Sequence, residues 1–261
     1  MNKLFFTILL CVHVLGDFYF QTQKMADKKQ KQFLWTVFHS LIYAAGSWLL
    51  LFLFLPGLKM RYILAFAGAH AAIDIIKYAV CSLLKTRCGI RNSMYDRRNL
   101  FLIDQAAHLL TILGIAFWIG QNNITKLYRE EAELFFHTFD VSETVFLKWI
   151  LVLLLIHKPA NILIANILSG YRPEKKEVSD KKLPDENGTD RNAGRMIGTL
   201  ERIIMVIFIA IGQYAAVGLV LTAKSIARYD RIAKDQVFAE YYLLGTLLST
   251  ICAIAAALIF L

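Results

Sequence analysis

The sequence predicts an all-α, polytopic transmembrane helix bundle of about six to seven membrane segments, one of which also fits a re-entrant loop. Three observations carry that expectation. Hydrophobic residues make up 57% of the 261 residues and the mean hydropathy is +0.50, too apolar for a soluble domain of this length. The apolar residues fall in continuous runs near the roughly 20 residues a spanning helix needs, without the alternation of a membrane β-barrel. Only 4 prolines and 14 glycines interrupt them.

The runs are expected at 4–20, 33–55, 62–84, 100–120, 145–168, 203–222 and 241–261. The first opens like a signal peptide, with Lys3 before an apolar stretch. His13 and Asp17 interrupt it and no small-residue cleavage pattern follows, so it reads as a retained span. Loop charges set the orientation. The first loop carries Lys24, Lys28, Lys29 and Lys31, and the third carries Lys85, Arg87, Arg91, Arg97 and Arg98. The fifth, 171–195, is a mixed-charge linker with Pro173, Pro184 and Gly188. The fourth is acidic, with Glu130, Glu131, Glu133, Asp140 and Glu143. By the positive-inside rule the odd loops face the cytoplasm and loop four faces outward. The chain thus divides into a four-helix module over 1–122, an acidic external loop over 123–144 and a second membrane module over 145–261.

Strict alternation places Lys224, Arg228, Arg231 and Lys234 outside, against that rule. Residues 223–238 have helical amphipathic spacing and read as an interfacial helix. The conflict disappears if 203–222 turns back near Gly212 and Gln213. A plain span that breaks the rule is the alternative. The net charge of +9 is a loop pattern of this kind, so membrane lipids are the expected partners and nucleic acid is not. Cys11, Cys81, Cys88 and Cys252 form no CxxC pair and read as small apolar residues.

The chemistry lies in the first four runs. His13 and Asp17, His70 and Asp74, and Asp104 and His108 are each four residues apart, and His39 adds a further imidazole. Residues four apart share a helical face. Ionisable groups in a membrane are costly unless paired, hydrated or ligating. Counted from the expected cytoplasmic ends at 1.5 Å per residue, Asp17 and Asp104 lie ~6 Å deep, His39 ~9 Å, His13 and His108 ~12 Å, Asp74 ~15 Å and His70 ~21 Å. Six of the seven share the cytoplasmic half and His70 fits worst. Imidazole and carboxylate are the ligands of Zn, Mn or Fe, and seven such groups suffice for one or two ions with partners that orient them. His13, Asp17, His39, His70, Asp74, Asp104 and His108 are therefore the candidate metal ligands. Asp17, Asp74 and Asp104 are the candidate catalytic carboxylates, with Lys77 to neutralise one of them or hold an anionic substrate group.

The residues leave three functions open. A metal-dependent hydrolase would act on a lipid-linked or otherwise amphiphilic substrate near the cytoplasmic face. A transporter or channel component would use the same groups as a proton or cation relay. A sensor or scaffold would bind its partner through the basic loops and would not need these groups for function. No zincin, nucleophile-elbow, P-loop or Rossmann motif is present. Gln105 points some 100° from Asp104 and is not expected in the cluster. Around His157-Lys158-Pro159 the fifth run either kinks beside a pocket or ends. Glu201 and Arg202 read as an interfacial ion pair.

The strings His13-Val-Leu-Gly16-Asp17-Phe18, His70-Ala-Ala-Ile-Asp74-Ile-Ile-Lys77 and Asp104-Gln105-Ala-Ala-His108, in this order, resemble the domain-of-unknown-function 3307 family of bacterial multi-span membrane proteins. The resemblance covers mainly residues 1–120. It implies a bacterial inner-membrane location and no established activity.

Overall fold

Long apolar runs with few breakers form helices, and the chain is helical throughout the described residues. The computed structural model describes residues 2–29, 31–88, 94–122, 130–171 and 186–261. Arg91 of the basic third loop, and Pro173 and Pro184 of the expected linker, lie outside them. Helix α1 (Asn2–Val14) passes into a π-helical turn (Leu15–Tyr19). The chain then bends by 89° into α2 (Gln23–Lys29). Helices α3 (Phe33–Phe54), α4 (Met60–Cys88), α5 (Met94–Gly120), α6 (Glu130–Thr138) and α7 (Glu143–Ile167) follow. Then come α8 (Glu186–Ala210), α9 (Tyr214–Ala227), α10 (Tyr229–Lys234) and α11 (Gln236–Phe260). Among the described residues, five helices are long and apolar enough to cross a membrane, or six if the bent pair at the amino end counts as one span.

The burial pattern is that of a membrane protein. Large apolar side chains point outward, among them Leu34, Ile103, Leu110, Leu258 and Ile259, while His13, Asp17, His39, His70, Asp74, Asp104, His108 and Arg202 are buried. In water that arrangement would expose a broad apolar surface at high cost, and lipid removes the cost.

The chain forms two compact units, Met1–Leu151 and Val152–Leu261. In the first, α3 packs on α4, α4 on α5, α5 on α1, and α2 on α3. Inward residues recur every four positions: Tyr62, Phe66, His70 and Asp74 on α4, and Asp104, His108, Ile112 and Ala116 on α5. Because the helices alternate in direction, the apolar members seal one end of the bundle and the polar members meet at the other.

In the second unit, α11 packs against α8, and α9 and α10 lie against α8 and α11 respectively. The run expected at 203–222 is not one helix. It breaks after Ala210, where Gly212 takes a φ of +73°, a left-handed conformation that favours glycine. Helix α9 then returns along α8, so that Lys224 Nζ lies 2.6 Å from Glu201 Oε2. The amphipathic segment expected as one helix over 223–238 is split by breaks at Arg228 and Asp235. The expected linker is helical from Glu186 onward, and α6 occupies part of the acidic loop.

Pro159 neither ends nor shortens α7, which runs on to Ile167. Proline lacks the N–H that continues the ladder. The carbonyl it leaves without a helical donor is that of Leu155, four residues back; the next one, Ile156 O, accepts from Arg202 Nε at 2.7 Å.

Candidate metal centre

Helices α3, α4 and α5 and the turn after α1 contribute inward-facing side chains to one polar layer. From α3 come His39 and Tyr43, one turn apart; from α4, His70 and Asp74; from α5, Asp104 and His108; from the turn after α1, Asp17. His39 Nε2 lies 3.2 Å from Asp17 Oδ1 and 3.5 Å from Asp74 Oδ2. His70 Nε2 lies 3.3 Å from His39 Nε2 and 3.6 Å from Asp74 Oδ2. Four ligand atoms from two helices and a turn are thus linked by four nearly equal separations, and those of Asp17, His39 and His70 all lie within 4.8 Å of one another. A tetrahedral ion with bonds of 2.0–2.1 Å holds its ligands about 3.3 Å apart. Asp74, Asp104 and His108 offer a second group of ligand atoms, all within 4.8 Å of one another.

His108 carries a tautomer assignment. Its Nδ1 lies 2.9 Å from the carbonyl oxygen of Asp104, an acceptor only, so Nδ1 bears the proton and donates. Nε2 is then a bare lone pair, and it is buried without a partner. Asp104 Oδ1 is likewise buried and unpartnered. A backbone carbonyl that orients an imidazole through one nitrogen while the other is left bare is the usual support of a metal-ligating histidine. His70 is oriented differently, by the Tyr43 ring stacked on it at 3.5 Å and 10°.

The carboxylates have cationic partners. Lys29 Nζ bridges Asp17 Oδ1 at 3.5 Å and Asp74 Oδ2 at 3.2 Å. Lys77 Nζ donates to Asp104 Oδ2 at 2.7 Å, so of its two expected roles Lys77 takes that of neutralising a carboxylate. Three carboxylates against two ammonium groups leave one buried negative charge while the imidazoles are neutral. An unpaired buried charge is costly, and a bound cation or one further proton on the imidazole cluster offsets it.

Several expectations change. His70, whose depth fitted worst, is central. Helix α5 starts six residues before the assumed end at 100 and α4 runs four past 84, which narrows its offset from His108 from ~9 to ~6 Å. Their rings lie 4.6 Å apart. His13 lies in the layer but outside both ligand groups: its Nδ1 faces the Tyr43 hydroxyl at 3.2 Å and its ring stacks on His108 at 5.0 Å. The cause is local. The π-turn adds a residue to the turn holding Asp17, so the expected i, i+4 alignment with His13 is lost. The turn brings Gly16 against Tyr43, where a Cβ would stand 2.6 Å from Tyr43 Cδ2.

Gln105 belongs to the layer despite its angle on the helix: its Nε2 reaches Asp17 Oδ2 at 3.4 Å and Asp104 Oδ2 at 3.2 Å. Lys29 and Tyr43 carried no sequence signal as site residues. Lys29 resembled any loop lysine and Tyr43 any core aromatic. The charge balance of three buried aspartates was the available clue to Lys29. Glu201 and Arg202 do not pair with each other. Glu201 takes Lys224, and Arg202 is buried among neutral acceptors. His157 and Lys158 are not among the residues lining the second unit's cavity, whereas Asn161 is.

No curated relative and no solved structure matches this chain. A family model described as protein of unknown function (DUF3307) matches residues 5–136, a segment that contains every member of the polar layer. That match spans half of the chain and agrees with the resemblance read from the His/Asp strings, and the chain belongs to the DUF3307 family.

Proposed function

We propose that the first unit holds a divalent metal ion, Zn, Mn or Fe, between His39, His70, Asp17 and Asp74. In this reading the protein is a metal-dependent hydrolase acting on a lipid-linked or amphiphilic substrate at the cytoplasmic side of a bacterial inner membrane. The observation that carries it is that four of the six separations among four buried ligand atoms lie between 3.2 and 3.6 Å, near the edge length of a tetrahedral site. A second ion would fall to Asp74, Asp104 and His108. A metal there would supply an acidified water. Asp104 has the free oxygen needed to take a proton from such a water, while its other oxygen is held by Lys77.

The test is equilibrium dialysis of the purified chain against Zn²⁺, Mn²⁺ and Fe²⁺, followed by metal counting and assays on lipid-linked phosphoesters. One or two ions per chain are expected, with turnover lost in Asp104→Asn while the ion between His39, His70, Asp17 and Asp74 is kept. Metal below a tenth of an ion per chain after reconstitution, with no turnover, overturns the reading.

One observation favours a second reading. The space beside Lys29, Asp74 and Lys77 is only about 10 Å³, at the lower limit for a single water. A proton or bare cation fits there and a lipid headgroup does not. A relay predicts pH-dependent cation or proton flux in liposomes without turnover. Liposomes that show no flux for any ion tried, while the protein retains a metal, argue against it.

A further inference from the structure

The second unit buries a cation without a countercharge. Arg202 is 1% exposed. Its guanidinium donates from Nε to Ile156 O at 2.7 Å, from Nη1 to Ser249 Oγ at 2.9 Å, and from Nη2 to Asn161 Oδ1 at 2.7 Å and Thr199 Oγ1 at 3.2 Å. All four acceptors are neutral, and no carboxylate among the described residues pairs with it. Four bonds leave one of its five N–H groups. Gly198 sits against Nη1, where a Cβ would stand 3.4 Å away.

Arg202 lines a cavity of about 1190 Å³ between α8, α9, α10 and α11. That volume is ample for a small ligand or a headgroup. Five basic side chains line it, Arg195, Arg202, Lys224, Arg228 and Arg231, against two acidic ones, Glu201 and Asp230. Glu201 is already taken by Lys224 at 2.6 Å. Aromatic faces hold the cations in place: Arg231 lies 4.0 Å over the Phe238 ring and Lys224 lies 5.6 Å from the Tyr242 ring. In the same wall, Thr246 is 9% exposed and its hydroxyl is buried with no hydrogen-bond partner.

We propose that this cavity binds a phosphate-bearing anion, with Arg202 as the fixed positive charge at its base and Lys224, Arg228 and Arg231 as the groups that close on the ligand. The exposed guanidinium groups of Arg228 and Arg231 match phosphate oxygens in planar, two-pronged geometry, while Arg202 contributes its one remaining N–H and a charge that water does not screen. The excess of positive charge and the unpartnered hydroxyl set the ligand class: anionic, with several acceptor oxygens. A phospholipid headgroup and a soluble phosphate share that chemistry.

The experiment measures binding to the full-length, delipidated protein. One arm titrates inorganic phosphate at constant ionic strength against chloride. The other titrates short-chain phosphatidic acid against short-chain phosphatidylcholine. Saturable binding of phosphate, or of phosphatidic acid alone, supports the site, and which arm responds identifies the source. The double variant Arg228→Gln/Arg231→Gln changes two exposed side chains and should leave the fold intact while weakening binding about tenfold or more. Arg202→Lys should abolish binding, with circular dichroism reporting whether that variant folds. Absence of saturable binding in both arms, or undiminished binding by the double variant, overturns the proposal.

Discussion

The two units bury charge in opposite ways. The polar layer of the first sets three carboxylates against two lysines and surrounds them with imidazoles, so every charge has an opposite charge within about one hydrogen-bond length. The second unit surrounds Arg202 with a carbonyl, an amide oxygen and two hydroxyls. Charge in the first unit is compensated from within and lacks one positive equivalent. Charge in the second is only solvated, and stays positive. That difference is the reason a cation is proposed for one and an anion for the other.

Variants that expose this difference rank by what they leave behind. Lys29→Met removes the ammonium that Asp17 and Asp74 share and strands both buried carboxylates. The expected cost is about 3–5 kcal/mol, read as a lowered unfolding midpoint in detergent, and the double variant Lys29→Met/Asp74→Asn should recover part of it. If the double variant is no better than the single, the carboxylates are not the stranded groups. Arg202→Met leaves only neutral acceptors unsatisfied, so its loss should be smaller, about 2–3 kcal/mol. A loss equal to that of Lys29→Met would mean that Arg202 has a charged partner after all.

Gly16→Ala pushes a methyl into the Tyr43 ring and should cost about 1–3 kcal/mol together with metal affinity. Gly68 and Gly114 meet no atom within 4 Å and serve as controls, since alanine there should be neutral or mildly stabilising. The smallest loss belongs to Tyr43→Phe, which keeps the stack on His70 and loses one hydrogen bond to His13, for about 1 kcal/mol. The melting curves of the purified variants check all of these.

The helices of the first unit were legible because spanning runs are long and uninterrupted, and the convergence of His39, Asp74, Asp104 and His108 followed from spacing and alternating direction alone. His13 was misaligned for a reason periodicity cannot show, since an α-helical count assumes no π-turn. Lys29 was hidden because its seven-residue helix is too short to have a pattern. In the second unit, the charge-rule conflict around Lys224 pointed to the turn at Gly212. The environment of Arg202 was not legible, because its partners come from three separate helices and one is a backbone carbonyl, which no sequence reports.

X-ray absorption at the edge of the metal retained by the purified protein tests the central claim most directly. The account predicts four nitrogen and oxygen neighbours at about 2.0–2.1 Å with an imidazole signature from two histidines, and loss of that shell in His39→Ala and His70→Ala. A sulfur shell, a shell of oxygen alone, or an unchanged spectrum in both variants would contradict it.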